Sequence, residues 1–413
     1  MHAHTSSPAL VRNWDRRSWL RWGMAALLSN SLIGGCSRRT EEPAVIETSS
    51  DFLMRFPEKA PLRVVNDRPP CLETPWSYFD RDLTPNEVFY VRWHLQGIPT
   101  TIDLRTWRLK VQGHVERPLE LSMAELRRME TVSVVAVNQC SGNSRSLITP
   151  HVPGAQWRNG AMGNARWTGV PLRALLERAG VKAKAVQVTF DGLDEPPLPS
   201  VPDFLKALDI EHALQAEAEV LVAYEMNGAP LPMLNGFPVR LVVPGWYATY
   251  WVKALAAITV LPHRFDGYWM AKAYRIPATP GANETPDQLV AQTQPIGRMN
   301  IRSFFVRPLE AQRLPVGRPC ELNGIAFNGG SGIKKVQYST DGGRTWNDAP
   351  LGKDLGRYSF RRWQAEWTPS AVGDYRLQVR ALGKDGETQP AAPTWNRGGY
   401  MRNVIEEIRV TVV

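Results

Sequence analysis

Cys140 leaves an apolar run and enters the polar turn Gln139-Cys140-Ser141-Gly142-Asn143-Ser144-Arg145. Thiolate sulfur is the protein ligand that soft or high-valent metals accept, and the arginine that follows offers a planar fork to an oxyanion. The pair suggests a metal facing a small anion, although a lone cysteine is equally a small buried hydrophobe. Tyr90-Val91-Arg92-Trp93-His94 alternates as a strand would, which turns Arg92 and His94 to one side; an isolated pair of this kind also suits a solvated face. Segment 157–167 carries small residues that permit close backbone approach to a ligand. Segment 236–245 places Arg240 amid apolar residues and ends in Pro-Gly, with Lys253 and Tyr274 downstream.

These residues need a scaffold, and the spacing predicts one. Strands are expected over 108–113, 132–137, 186–190, 220–225, 239–243 and 253–261. Ser122 and Glu125 form a capping box that opens a helix through Met129, and a second helix runs over 171–179, with Pro near its start and Gly180 at its end. The expectation is an α+β fold: a mixed α/β domain over 80–295, then an all-β, immunoglobulin-like sandwich over 300–413 with turn signals about every ten residues.

Of the formal charge of +9, six arginines against Asp15 fall within residues 1–40, so more than half belongs to that N-terminal stretch. The remainder has no Lys/Arg run interleaved with aromatics, which argues against nucleic acid. Asp15-Arg16-Arg17-Ser18-Trp19-Leu20-Arg21 is a twin-arginine pattern, and the apolar stretch after it is too short to span a bilayer. Such a leader implies export of a folded protein to the periplasm. Leu32-Ile33-Gly34-Gly35-Cys36 resembles a lipoprotein cleavage site, so Cys36 is either a lipid anchor or lies near an ordinary cleavage point. Residues 37–79 are expected to form a tether and N-terminal extension. The four cysteines form no C-x-x-C pair, which disfavours zinc knuckles and covalent haem attachment; Cys71 and Cys320 are read as two separate thiols, with their pairing in an oxidising compartment as the alternative.

Together, and in this order, the motifs resemble the sulfite oxidase family of molybdenum enzymes. The resemblance runs from about residue 89 to the end and includes 338–346 and Trp395-Asn396-Arg397-Gly398-Gly399-Tyr400. It implies one molybdopterin per chain, with Cys140 as the thiolate on molybdenum, Arg92 and Arg145 lining an oxyanion pocket, and Tyr274 beside the reacting centre. Tyr90, Val91, Arg92, Trp93, His94, Asp194, Asn235, Arg240, Trp251, Val252 and Lys253 match positions that hold the cofactor. Animal members carry an arginine in place of Tyr250 and a histidine in place of Asn235, and 244–251 looks like the bacterial sulfite dehydrogenases instead. The implied reaction is sulfite to sulfate. With no C-x-x-C-H motif in the chain, electrons would leave to a separate c-type cytochrome, and the sandwich implies a homodimer. The rival readings are a sulfane dehydrogenase subunit of a thiosulfate-oxidising complex and, in another class, a surface lipoprotein with a dead site that binds a partner.

Overall fold

The computed structural model describes residues 56–413; the twin-arginine motif and Cys36 lie outside them. Two five-stranded sheets carry the first lobe. In one, Val132–Gln139 pairs antiparallel with Met162–Pro171, which pairs with Leu221–Met226, and Arg240–Val242 joins that last strand. In the other, the order is Leu119–Leu121, Leu109–Gly113, Ala257–Leu261, Gln187–Asp191 and Lys206–Asp209, with one parallel pairing, between Leu109–Gly113 and Ala257–Leu261.

The capping box forms as expected: the Ser122 side chain accepts from the Glu125 backbone, the Glu125 carboxylate accepts in return, and Met123–Arg128 is helical. Leu172–Ala179 ends on Gly180 in the left-handed region. The lobe is nevertheless richer in strand than an even mixture, because its α-helices among the described residues have only four to eight residues. At that length a helix depends on tertiary packing rather than on its own cooperativity.

The C-terminal lobe is two sheets, one of Arg302–Arg307, Cys320–Phe327 and Arg361–Trp367, the other of Gln312–Leu314, Glu406–Val412, Gly373–Gly383, Ile333–Ser339 and Asn347–Ala349. Residues from both, among them Phe305, Leu322, Trp363, Leu377 and Val410, share one apolar core. The three-stranded sheet is buried on its other face as well, where Phe304, Val306, Ile325 and Phe327 join the core of the first lobe. Cys71 and Cys320 are separate buried thiols.

Residues ahead of the expected boundary at 80 are part of the fold. Arg63–Asp67 and Pro70–Glu73 form a sheet with Val91–Arg92, and Phe56, Leu62 and Leu72 pack with Val88, Val91, Trp93, Leu234 and Ala254. The buried Lys59 ties this segment down by donating to the carbonyls of Asn86 at 2.6 Å and Phe89 at 2.8 Å, and to Asn235 Oδ1 at 3.0 Å. Three acceptors meet three ammonium hydrogens, so the substitution Lys59→Met takes a donor from all three, and only the Asn86 carbonyl keeps a further one, the Phe89 N–H. We expect it to cost about 2–3 kcal/mol, read as a lower urea midpoint; an unchanged midpoint would mean that the segment is not held by this lysine.

Candidate active site

Pairing in register carries Val132–Gln139 to the point where Cys140 N–H still bonds to Ala161 at 2.9 Å, and the chain then turns. The turn is tight because Gly142 lies against the Arg145 guanidinium, where an added Cβ would sit 2.5 Å from Nη2. Cys140 is thereby presented at a cleft of about 410 Å³ lined by Tyr90, Arg92, His94, Asn138, Cys140, Ser141, Leu234, Asn235, Arg240, Ala248, Thr249, Lys253 and Tyr274. The expected alternation over 90–94 is present. Tyr90, Arg92 and His94 do share the cleft side, while Val91 and Trp93 enter the apolar cluster behind it.

Cations dominate the lining. Arg240 donates to the carbonyls of Asn235 at 3.1 Å and Trp251 at 3.3 Å and lies over the Trp167 ring at 5.1 Å. Burial pushes its guanidinium down to about 10, so it stays charged at neutral pH. The Lys253 ammonium lies 4.5 Å from the Trp93 ring centroid. Burial pushes this ammonium down and the nearby Asp194 carboxyl up, each opposed by the other's charge. Asp194, Trp251 and Val252 stand behind the lining rather than in it. Asn235 borders the cleft, but its amide is engaged by Lys59 and by the Tyr90 carbonyl.

His94 and Tyr274 form one unit. Nε2 of the imidazole and the phenol oxygen are 2.5 Å apart, and the imidazole stacks on Phe204 with centroids 3.6 Å apart. Burial, then the charges of Arg92, Lys253 and Lys206, hold the imidazole pKa well below its usual value. Burial also raises that of the Tyr274 phenol, against the pull of Arg92. A neutral imidazole therefore faces a protonated phenol, and the imidazole tautomer sets which of the two donates. Tyr274 reaches this position from a left-handed backbone, φ 55°, a costly conformation for a bulky residue that is characteristic of functional sites. Tyr400 stacks on its other side at 5.6 Å.

Arg145 is placed differently from expectation. Its guanidinium does not line the cleft. It donates twice to the Gly398 carbonyl, at 2.9 and 3.2 Å, and once to Ala155 at 3.1 Å, beneath the Tyr400 ring. Its closeness to Cys140 in sequence is real, but its fork is spent on backbone, so it secures the C-terminal segment and contributes charge from behind.

Residues 94–269 match the family described as oxidoreductase molybdopterin binding domain, and residues 293–413 match the Mo-co oxidoreductase dimerisation domain. Human mitochondrial sulfite oxidase is 32% identical over 401 residues, covering 94% of this chain and 72% of that protein. The chain belongs to the sulfite oxidase family. Sulfite oxidase from Gallus gallus is 34% identical over 375 residues, covering 87% of this chain and 80% of its own length. The solved structure of the sulfane dehydrogenase SoxCD from Paracoccus pantotrophus superposes with a TM-score of 0.71 over 91% of this chain and 92% of that one, a likeness of fold at 24% identity.

The cleft fits the family's molybdopterin. Five buried polar atoms without partners within the protein belong to its lining: His94 Nδ1, Asn138 Nδ2, Ser141 Oγ, Arg240 Nε and Thr249 Oγ1. Buried polar groups are nearly always hydrogen-bonded. Their concentration beside three cations and one thiol suits a polar, anionic cofactor with a soft metal ligand. Asn138, Ser141 and Thr249 escaped the sequence reading because no local pattern distinguishes them from ordinary turn and strand residues.

Lys206 escaped it too. It is fully buried, with its ammonium 2.6 Å from the Trp269 carbonyl and over the rings of Tyr250 at 4.8 Å and Tyr274 at 5.4 Å. Burial, then Arg275, pushes its pKa from 10.5 down to about 7. Between those values the unfolded chain binds more protons than the folded one, so this lysine makes stability rise with pH across that window. Paired urea titrations at about pH 7 and about pH 9.5 should show wild type gaining on Lys206→Met; parallel behaviour would mean that the ammonium is solvated.

Proposed function

We propose that this protein oxidises sulfite to sulfate at a molybdopterin site and passes the electrons to an external c-type cytochrome in the periplasm. The observation that carries the reading is the convergence of Cys140, Arg92 and the His94–Tyr274 pair on one cleft. The names of the relatives support the same substrate. When bound, the molybdenum centre supplies a two-electron oxidant and the oxygen atom that the substrate sulfur gains.

The chain's own residues have three tasks. Cys140 holds the metal, while Arg240, Lys253 and the unpartnered donors of Asn138, Ser141 and Thr249 hold the pterin and its phosphate. Arg92 binds the sulfite oxyanion through its guanidinium. The third task is proton control. A phenol whose pKa is raised keeps its proton at neutral pH, and in the tautomer with the proton on Nε2 the imidazole donates to the phenol oxygen, which leaves the Tyr274 O–H to donate to the reacting anion. Walls of Phe204, Trp269 and Tyr400 around that pair limit water access.

The immunoglobulin-like spacing of the C-terminal strands and the match to a dimerisation domain support a homodimer through that lobe. The twin-arginine leader supports export in folded form, with Cys36 as a lipid anchor or a site near simple cleavage.

Metal analysis of the purified protein together with a sulfite and ferricytochrome c assay tests the proposal. Reduction of cytochrome by sulfite is expected; a molybdenum-loaded protein inert to sulfite but active on a protein-bound sulfane would replace this reading with the sulfane dehydrogenase one. Arg92→Gln should raise the KM for sulfite roughly ten- to a hundred-fold, and an unchanged KM would remove Arg92 from the substrate. Tyr274→Phe should lower kcat by about a hundred-fold with molybdenum content retained, whereas wild-type turnover would exclude a role for the hydroxyl.

A further inference from the structure

Strand Arg302–Arg307 opens the C-terminal lobe and faces two ways. Phe305 enters the sandwich core, whereas Phe304 and Val306 enter the core of the first lobe. Arg302 lies in register with that second set, and its side chain crosses between the lobes. It is among the largest fully buried side chains of the protein. Its Nη2 lies 2.6 Å from Glu406 Oε1 and 3.0 Å from Ser144 Oγ, and its Nη1 lies 3.4 Å from Gln139 Oε1.

Gln139 and Ser144 bracket the turn that carries Cys140. Gln139 Oε1 also accepts from Asn143 at 3.2 Å, and Ser144 Oγ donates to Asn159 Oδ1, so the arginine joins a network that runs around the turn. Ser144 itself holds a left-handed backbone, φ 69°, which needs outside support. A second contact from the same lobe falls on the turn, Met401 N–H to the Ser141 carbonyl at 2.9 Å. Glu406 is in turn held by Arg402. A buried ion pair adds little stability compared with well-packed apolar residues of the same volume. What it supplies is a fixed direction.

We propose that Arg302, oriented by Glu406, is a positioning residue that sets the Cys140 turn from within the C-terminal lobe. The lobe that matches a dimerisation domain thus has a second role inside its own chain, the placing of the metal-binding thiol. The inference rests on the reading of Cys140 as the metal ligand, but its first test does not. In cofactor-free protein, Arg302→Met and Glu406→Gln should each speed alkylation of Cys140 by iodoacetamide about tenfold, followed by peptide mass spectrometry, with Cys71 and Cys320 unchanged. Arg302→Lys should restore much of the protection.

In the loaded enzyme, Glu406→Gln should shift the thiolate-to-metal charge-transfer absorption and lower kcat about tenfold while the KM for sulfite stays within about twofold. Glu406→Gln keeps the volume and a hydrogen-bonding group, so it remains informative if Arg302→Met does not fold. Wild-type alkylation rates at Cys140 would overturn the proposal. Equal acceleration at all three thiols would also overturn it, because that reports general loosening. Faster alkylation of Cys140 with no charge-transfer band even in the wild-type loaded enzyme would uphold the positioning and overturn the ligand reading instead.

Discussion

Three cations gathered around one thiol, one buried and two half-buried, set the terms for everything else in this protein. Arg92, Arg240 and Lys253 line a cleft whose lining holds no carboxylate, and taking charge out of water is costly unless an opposite charge answers it. Asp194 answers in part from behind Lys253. Backbone carbonyls answer for Arg240, and indole faces lie against Arg240 and Lys253. The balance is left for anions that arrive later, the phosphate of the cofactor and, on the function proposed above, an oxyanion substrate. A site built in this way is tuned to negative ligands before either binds.

Such an arrangement requires rigid surroundings, and the fold supplies them from distant parts of the chain. Lys59 fixes Asn235 from the N-terminal segment, Arg240 leans on the Asn235 carbonyl, and Arg145 grips Gly398 near the other end. Two conformationally strained residues, Ser144 and Tyr274, sit where these supports meet. Strain of this sort persists only where the surroundings over-determine it. The aromatic stack of Phe204, His94, Tyr274 and Tyr400 performs that service for the tyrosine.

Much of the site could be read along the sequence because a strand announces its faces. The two-residue period at Tyr90, Arg92 and His94 was enough to bring those three side chains together, and the capping box at Ser122 marked a helix start to the residue. Arg145 shows where such reading stops: position in the chain gives proximity, but the direction of a side chain leaving a turn is decided by packing, here by Gly142 and the Gly398 carbonyl. Lys59, Lys206 and Arg302 were silent for a related reason. Each is a long cationic residue in an unremarkable local context, and sequence statistics send such residues to the surface. Only the three-dimensional supply of carbonyls, rings and one carboxylate makes their burial tolerable. The helices Ile210–Leu214 and Tyr268–Ala271 belong to the same lesson, since at five and four residues they depend on packing and leave no periodicity to read.

The hydrogen bond from Met401 to Ser141 and the Arg302–Glu406 pair also bear on the order in which the protein is made. The cysteine turn is synthesised more than 250 residues before Glu406, so the thiol emerges long before the groups that frame it. The molybdopterin-binding stretch alone, 94–269, does not contain the residues that close the frame around that turn. The groups that frame the site therefore come from almost the whole described length of the polypeptide, from Lys59 to Glu406, and the frame is complete only when the C-terminal strand is in place.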